Sequence, residues 1–431
     1  MNTNTYTKAR RIGWNTVGVV QLVCVVALAV GWLLLPRHAQ QRILADVEHV
    51  RPHTDVTFIN KQPATIAPLY NDDSVVTDAE LAAVIEKVVP RFSRKKLRPN
   101  YVEHALRIWH SKIEFAKPDL VSGPQMVDYL TDSAAYVDSW GTDAAPILES
   151  VDEGIHVRWG KDGSTSVHHD HLLACLAEAG VSLDQPVFTI SKRSDVQQVL
   201  AQALRDFRLD ERETEWSVMA FALYLSPQQT SEWHNAEGRL ITFDTLAHRL
   251  MRQRRSQGVC LGTHRVYSLM ALLRLNEDHG GQLISSETQA SISQFLHQTK
   301  ELLIASQSED GSWPPNWHDG VHATERRDPD EKLYRRVIST GHHLEWLAIA
   351  PVEFHPPHNQ IVQAARWVID NTQNTPQDVI DANYTYYSHV ANALALWRGT
   401  NLSGFWTKWP ANSLQEEAQN REFTGKTVDN P

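Results

Sequence analysis

Six mostly apolar segments recur along the chain, and in most of them a histidine opens the apolar run. Their apolar residues cover most of a helical circumference, which is typical of a helix that is buried on all sides. The segments begin at Tyr101, Val167, Glu213, Cys260, Thr340 and Tyr386. Between them, runs with apolar residues at helical spacing and charges on the other face predict outer helices. These amphipathic runs start at Ser194, Phe243, Glu287 and Asn359.

The spacing of the segments predicts helical hairpins. One residue in each segment serves as its marker: His104, His171, Trp216, His264, His342 and His389. Three of the five steps between markers are 45 to 48 residues long, and a helical hairpin with its connections takes about 40 to 50 residues. The pattern therefore predicts an all-α domain over residues 75–398, an α/α toroid of about six helical hairpins whose first helix Thr77 caps. An irregular bundle or an open solenoid is the alternative, with at most one short β-hairpin, near residues 154–159.

An apolar run precedes this domain. In residues 16–35, Gln21 is the only strongly polar side chain apart from Thr16. About 20 helical residues span the hydrocarbon core of a bilayer, and basic residues before the run favour a cytoplasmic N-terminus. The run predicts a transmembrane signal anchor over residues 14–36, with residues 1–13 in the cytoplasm and the lipid bilayer as a partner. The main domain would then be extracytoplasmic or periplasmic, on a single-pass protein of the cytoplasmic (inner) membrane. A cleaved signal peptide is the alternative.

The other flanking segments differ in composition from the helical domain. Residues 37–74 contain three prolines and no sustained period, and we interpret them as a stalk or a strap against the domain. Residues 399–431 are polar and mixed, which predicts a partly disordered tail. The 431-residue chain has a formal net charge of −10. This charge argues against nucleic acid as a partner, because phosphate binding needs a basic face.

Two short motifs resemble known toroid families. Residues 307–313 (QSEDGSW) resemble the QW repeat of the terpenoid cyclase and protein prenyltransferase toroids. That resemblance implies that Gln307 and Trp313 tie the end of an outer helix to the next turn. Residues 341–346 (GHHLEW) are similar to a segment of the N-acylglucosamine 2-epimerase toroids. This second resemblance implies that His342 and Glu345 handle a sugar.

Histidines predict where a site would lie. If the inner helices start at these residues, their positively polarised N-termini and the histidines collect at one mouth of the ring. A histidine there could move protons near neutral pH. The catalytic candidates are His264, His342 and His389, with Glu345 orienting or assisting. The candidates for substrate binding are His104, His171, Glu215, Trp216, Trp313 and Trp346.

A zinc site is a second hypothesis for the same region. Cys260 and His264 are four residues apart and would share one helix face. A histidine of the next inner helix, His343 or its neighbour His342, would complete three ligands and leave one position for water. Zinc is the only cofactor that these residues suggest, and the functional hypotheses without a metal need no cofactor.

The leading functional hypothesis is a membrane-anchored enzyme that performs acid/base chemistry on a glycan or a related polar small molecule, as an epimerase-type isomerase, a hydrolase or a lyase. One alternative is an isoprenoid cyclase-like or transferase-like enzyme that uses zinc. The other is a module that binds a ligand or an assembly partner without chemistry. An aqueous cavity would favour the first, a Trp-lined apolar cavity the second, and a ring plugged by hydrogen-bonded histidines the third. The chain has no phosphate-binding loop, dinucleotide fingerprint or serine-hydrolase elbow.

Overall fold

The computed structural model describes residues 14–37, 39–40 and 56–409, and this part of the chain is mostly helical. The predicted all-α class is confirmed. The helices are α1 Trp14–Leu34, α2 Asp78–Lys87, α3 Pro99–Trp109, α4 Gly123–Thr131, α5 Ser133–Trp140, α6 His171–Glu178, α7 Val196–Asp206, α8 Glu215–Leu225, α9 Phe243–Arg252, α10 Thr263–Asp278, α11 Ser286–Ser306, α12 Leu333–Ile349, α13 His358–Asn374, α14 Gln377–Ala382, α15 Tyr384–Trp397 and α16 over residues 402–409.

The strands form short antiparallel hairpins. They are β1 Leu148–Val151, β2 Gly154–Val157, β3 Pro186–Phe188, β4 Arg193–Asp195, β5 Glu232–His234 and β6 Leu240–Thr242, paired β1–β2, β3–β4 and β5–β6. The β1–β2 hairpin is the one that the sequence pattern suggested. The other two were not predicted, because three residues are too few to show an alternating pattern.

The apolar N-terminal run forms α1. Within the described residues, however, no helix is long and apolar enough to cross a membrane. The transmembrane signal anchor over residues 14–36 therefore stays a prediction. Residues 1–13, the predicted cytoplasmic segment, lie outside the described residues.

Residues 56–74 lie as an extended strap across one end of the helical domain. The backbone N–H of Ala64 donates to the carbonyl of Leu223 at 2.7 Å, and the N–H of Asp72 donates to that of Trp397 at 2.9 Å. The Tyr70 hydroxyl donates to the carbonyl of Ala350 at 2.6 Å. These acceptors lie at or just beyond the C-terminal ends of α8, α12 and α15, so the strap crosses that end of the domain. At its end, Thr77 caps α2 with a capping box, as predicted.

Six helices, α3, α6, α8, α10, α12 and α15, carry the six marker residues, and we call them the inner helices. Each inner helix contacts the next one along the chain, and α15 contacts α3. The contacts therefore run in a closed cycle. Outside the cycle, α2, α4, α7, α9, α11 and α13 each contact an inner helix. Every residue of α8 is buried, as the apolar circumference of the inner segments predicts.

The helices α12 and α15 approach each other closely at Gly341. A Cβ atom at this position would lie 2.9 Å from Cγ2 of Val390, which is closer than side-chain atoms pack. Glycine at 341 therefore sets the distance between these two inner helices. This distance matters because α12 and α15 carry five of the polar residues described below.

Gln307 and Trp313 connect the end of α11 to its neighbours. The Gln307 amide donates to the carbonyls of Gly311 at 2.8 Å and Gln360 at 2.7 Å. The Trp313 indole N–H donates to the carbonyl of Leu303 at 3.1 Å. Since Gln360 is in the first turn of α13, the bond from Gln307 to Gln360 joins consecutive outer helices, and the Trp313 bond holds the following loop against α11. At the C-terminus, α16 is anchored by the buried Leu402, and residues 410–431 of the predicted tail lie outside the described residues.

Candidate functional site

One aromatic side chain from each inner helix meets its neighbours at the centre of the helical cycle. We call these six side chains the axial ring: His104, His171, Trp216, His264, His342 and His389. The centroid distances between successive members, in this order and back to the first, are 4.7, 4.3, 4.3, 4.7, 3.8 and 5.2 Å. None of the six residues is more than 6% exposed. The ring is therefore a buried layer of five imidazoles and one indole.

The prediction that the histidines collect at an open mouth is wrong. His171, Trp216 and His264 do begin their helices. The other three members lie in mid-helix, because α3, α12 and α15 start well before their markers. The ring lies inside the domain, where its histidines do not meet bulk solvent.

Burial keeps the histidines of the axial ring neutral. Desolvation lowers the pKa of His104, His171, His264 and His389 well below the usual value. It lowers the pKa of His342 to about 4. A neutral imidazole is a poor proton donor near pH 7, but it is the form that binds a metal ion. The environment thus disfavours the predicted proton transfer by His264, His342 and His389, and it suits a ligand role for His264 and His342.

Cys260, His264 and His342 form a group that could hold a metal ion. Their ligand atoms all lie within 4.8 Å of one another. The Nδ1 atom of His342 donates to the carbonyl of Ile338 at 2.7 Å, which leaves its Nε2 as the ligand atom. This Nε2 lies 3.0 Å from Nε2 of His264. Two nitrogens that share a tetrahedral zinc ion at about 2.1 Å are roughly 3.4 Å apart, so the two rings are close to the required positions.

The backbone before α10 presents the Cys260 sulfur. Cys260 and Leu261 have left-handed φ angles of 48° and 63°. Such conformations cost on the order of 1–3 kcal/mol for a non-glycine residue and concentrate at functional sites. Gly262 continues the turn at φ 79°, and a Cβ there would collide with the carbonyl of Arg255. The Thr263 hydroxyl fixes the turn by donating to the carbonyl of Cys260 at 2.6 Å.

His343, the predicted third metal ligand, is not part of this group. Its Nδ1 accepts the indole N–H of Trp346 at 3.0 Å, and its ring lies 4.7 Å from that of Trp317. Successive helical residues point about 100° apart. Only one histidine of the pair can therefore face the axis, and in this structure it is His342.

A buried ion network lies beside the axial ring. The Arg107 guanidinium contacts Glu178 at 2.6 Å and Glu345 at 2.9 Å. The other oxygen of Glu345 lies 2.8 Å from Nδ1 of His389, and the amide of Asn392 donates to Glu345 at 2.7 Å. Burial alone would lower the pKa of Arg107, but the two carboxylates outweigh it and raise that pKa well above the usual value. Glu345 thus orients His389, as its predicted role requires.

Arg107 and Glu178 were missed by the sequence reasoning. The available signal was that each is a charged residue inside an otherwise apolar segment. A buried charge needs a partner, so such a residue predicts an ion pair. The sequence does not say which of the many charged residues is the partner.

Glu215, Trp313 and Trp346, predicted to bind substrate, are buried in the walls of the domain. Glu215 pairs with the buried Arg265 at 3.4 Å. The indole N–H groups of both tryptophans have acceptors inside the protein. Their side chains therefore stabilise the fold and do not line the cavities described below.

Glu103 is a second buried carboxyl group at the axial ring. Its Oε2 lies 2.6 Å from Nδ1 of His171, and neither side chain is exposed. Desolvation raises the pKa of Glu103 to about 8. The carboxyl group is therefore protonated near pH 7, and the pair is neutral.

This shift predicts a pH-dependent effect of Glu103→Gln. The pKa of Glu103 is about 8 in the folded state and roughly 4.3 in the unfolded state. As pH rises, the carboxyl group of Glu103 ionises in the unfolded chain before it ionises in the folded protein. Its contribution to stability therefore falls as pH rises from about 4 to about 8. The amide of a glutamine does not ionise. Between pH 5 and pH 8, we expect the free energy of unfolding of Glu103→Gln to rise relative to that of the wild type by on the order of a few kcal/mol. Urea denaturation at each pH measures this difference. The exposed Glu301→Gln is the control, and an equal pH slope in wild type and Glu103→Gln would contradict the assignment.

Two cavities lie away from the ligand group. One, of about 870 Å³, lies between α13, α14 and the loop before α12. The other, of about 380 Å³, lies at the C-terminal end of the inner helices, beneath the strap and the start of α16. Arg107, Glu178 and Asn392 line this second cavity, so the ion network separates it from the axial ring.

No family model, no curated protein and no solved structure matches this chain. The two motif resemblances therefore stay predictions. The function has to be argued from the geometry of the axial ring, the ligand group and the ion network.

Proposed function

We propose that this protein is a zinc-dependent enzyme that holds one zinc ion on Cys260, His264 and His342 at the axis of an α/α toroid. The observation that carries the proposal is the convergence of these three ligand atoms within 4.8 Å. This combines the predicted zinc site with the polar substrate of the leading hypothesis, and it leaves the isoprenoid alternative aside. The metal-free proton-transfer hypothesis is less favoured, because the histidines are buried and neutral.

The toroid is supported by the order of the helix contacts. The inner helices contact one another in a closed cycle, and the outer helices lie against them. The Gln307 bond from the end of α11 to α13, and the Trp313 bond back to α11, are of the kind that the QW-like motif implies. A closed cycle of six hairpins is also what the spacing of the markers predicts.

The donor set suits zinc. A thiolate and two neutral imidazoles are ligands that zinc prefers, and three protein ligands leave a fourth position open, as in catalytic sites. His342 has the usual outer hydrogen bond, from its other ring nitrogen to a backbone carbonyl. Cys260 is half-buried while the two histidines are buried. Approach to the site is therefore expected from the side of Cys260.

When bound, zinc would supply a Lewis acid and activate a water molecule at the open position. The chain supplies the surroundings. The His389 ring lies 3.8 Å from that of His342, and its Nε2 has no hydrogen-bond partner among the described residues. Since Glu345 holds the other nitrogen of His389, Nε2 is positioned to hydrogen-bond a substrate. The reaction that we propose is hydrolysis or isomerisation of a small polar molecule that reaches the zinc from the side of Cys260. Because buried histidines plug the ring, a module that holds zinc without chemistry is the second candidate.

The test is the metal content of the full chain purified without chelators, measured by mass spectrometry. We expect one zinc per chain in the wild type and none in Cys260→Ala or His264→Ala. Cys175→Ala is the matched control, because Cys175 is a buried cysteine outside the group. A metal-free wild type, or zinc retained in Cys260→Ala, would refute the site. If zinc binds, turnover of a panel of esters and glycosides must depend on it, or the enzyme assignment fails.

A further inference from the structure

The cavity at the C-terminal end of the inner helices has the features of a binding site that is separate from the zinc ligands. Its volume of about 380 Å³ is within the range of small-molecule pockets. Its wall is largely apolar and includes Ile66 and Pro68 of the strap and Met219, Ile349 and Leu396 of the inner helices. A molecule bound there would be enclosed between the strap and the ends of these helices.

The ion-network residues Arg107, Glu178 and Asn392 line one side of this cavity, which we call its floor. Arg107 lines the cavity and is 3% exposed, and its Nη2 has no hydrogen-bond partner among the described residues. An unmet buried donor is costly, so the floor favours a ligand atom that accepts a hydrogen bond. Asn392 lines the same region and uses its amide nitrogen on Glu345. Its amide oxygen is suited to accept a proton from a ligand hydroxyl.

The charge around the floor selects against ions. Arg107 carries one positive charge, while Glu178 and Glu345 are two carboxylates in contact with it. Helix C-termini, with their negative partial charge, also point at this end. An anionic ligand would therefore find the charge of Arg107 already compensated by its two carboxylates. An ammonium ligand has no acceptor atom for Nη2 of Arg107. Lys408 lines the rim but is exposed to solvent, which screens its charge.

We infer that this cavity binds a neutral small molecule with an apolar body and one hydroxyl or carbonyl oxygen. The oxygen accepts from Nη2 of Arg107, and a hydroxyl also donates to the amide oxygen of Asn392. The apolar body lies against the strap and the ends of the inner helices. The inference does not depend on zinc, because Cys260, His264 and His342 do not line the cavity.

The experiment uses three eight-carbon probes that differ only in the head group: 1-octanol, octanoate and octylammonium. Each is titrated into the full chain by isothermal calorimetry. We expect 1-octanol to bind saturably at one site per chain, and the two ions to bind at least ten-fold more weakly. Tighter binding of either ion, equal binding of all three probes, or no saturable binding of 1-octanol would overturn the inference.

Variants locate the binding. Ala64→Trp, which fills the cavity from the strap, is expected to weaken 1-octanol binding at least ten-fold. Ile59→Trp is the matched control, because Ile59 is 79% exposed on the same segment and should leave binding unchanged. Thr400→Trp fills the cavity from the segment before α16. It tests the same expectation if Ala64→Trp misfolds. Cys260→Ala should bind 1-octanol normally, which separates this site from the proposed zinc site. Undiminished binding in both filled variants would place the ligand elsewhere and overturn the inference.

Discussion

Replacing Arg107 with methionine is expected to lower the free energy of unfolding by about 3–5 kcal/mol. Methionine keeps an unbranched apolar stem and removes the guanidinium group with its charge and its hydrogen bonds. Glu345, which is buried, and Glu178, which is nearly so, would then lack their cation. Removing one partner of a buried ion pair costs more than the pair contributes, because the remaining charge is left unsolvated. Urea denaturation of the wild type and the variant measures this effect.

A double variant and a surface variant make the Arg107 result interpretable. Arg107→Met/Glu345→Gln also removes one of the two unpaired charges, and should recover part of the lost stability. Arg326→Met breaks an exposed pair with Asp319 and should cost less than about 1 kcal/mol. If Arg107→Met were no more harmful than Arg326→Met, the buried network would not have the energetic role assigned to it.

The inner helices and their marker residues could be predicted because burial leaves a strong pattern in the sequence. A helix surrounded by other helices is apolar on all sides, and α8 is the clearest example. The six markers, chosen only for their position in the pattern, form the axial ring. The spacing of the markers along the chain and the order of the helix contacts both follow from the alternation of inner and outer helices.

The depth and the rotation of each helix could not be predicted. The histidines were placed at a mouth because each helix was assumed to start at its marker, but α12 begins at Leu333, well before His342. The choice between His342 and His343 as ligand depends on helix rotation, which is set by contacts such as the one between Gly341 and Val390. One residue of error in rotation replaces an axial ligand by a wall residue.

The pairing of charged residues that are distant in the chain also could not be predicted from the sequence. Arg107 and Glu345 are far apart in the chain and meet only because α3 contacts α15 and α15 contacts α12. Their proximity compensates the charge of Arg107, which lines the 380 Å³ cavity. The motif around Glu345 suggested a functional residue, but its cation had to come from the structure.

Zinc is expected to stabilise the folded chain strongly, and its removal should reverse this. A ligand that binds only the folded state at about 1,000 times its dissociation constant adds about 4 kcal/mol to the free energy of unfolding. The backbone at Cys260 is held in a left-handed conformation, and metal coordination would offset that strain. We therefore expect a chelator to lower the melting temperature of the wild type, and added zinc to restore it.

The stabilisation must depend on the three ligands. Cys260→Ala and His342→Ala should melt at the same temperature with and without the chelator, whereas Cys175→Ala should respond as the wild type does. This response separates coordination from a general effect of the chelator. Because the unfolded chain also contains cysteine and histidine, zinc binding to that state would reduce the shift but not its dependence on Cys260. A chelator effect of equal size in Cys260→Ala and the wild type would show that any bound metal is held elsewhere.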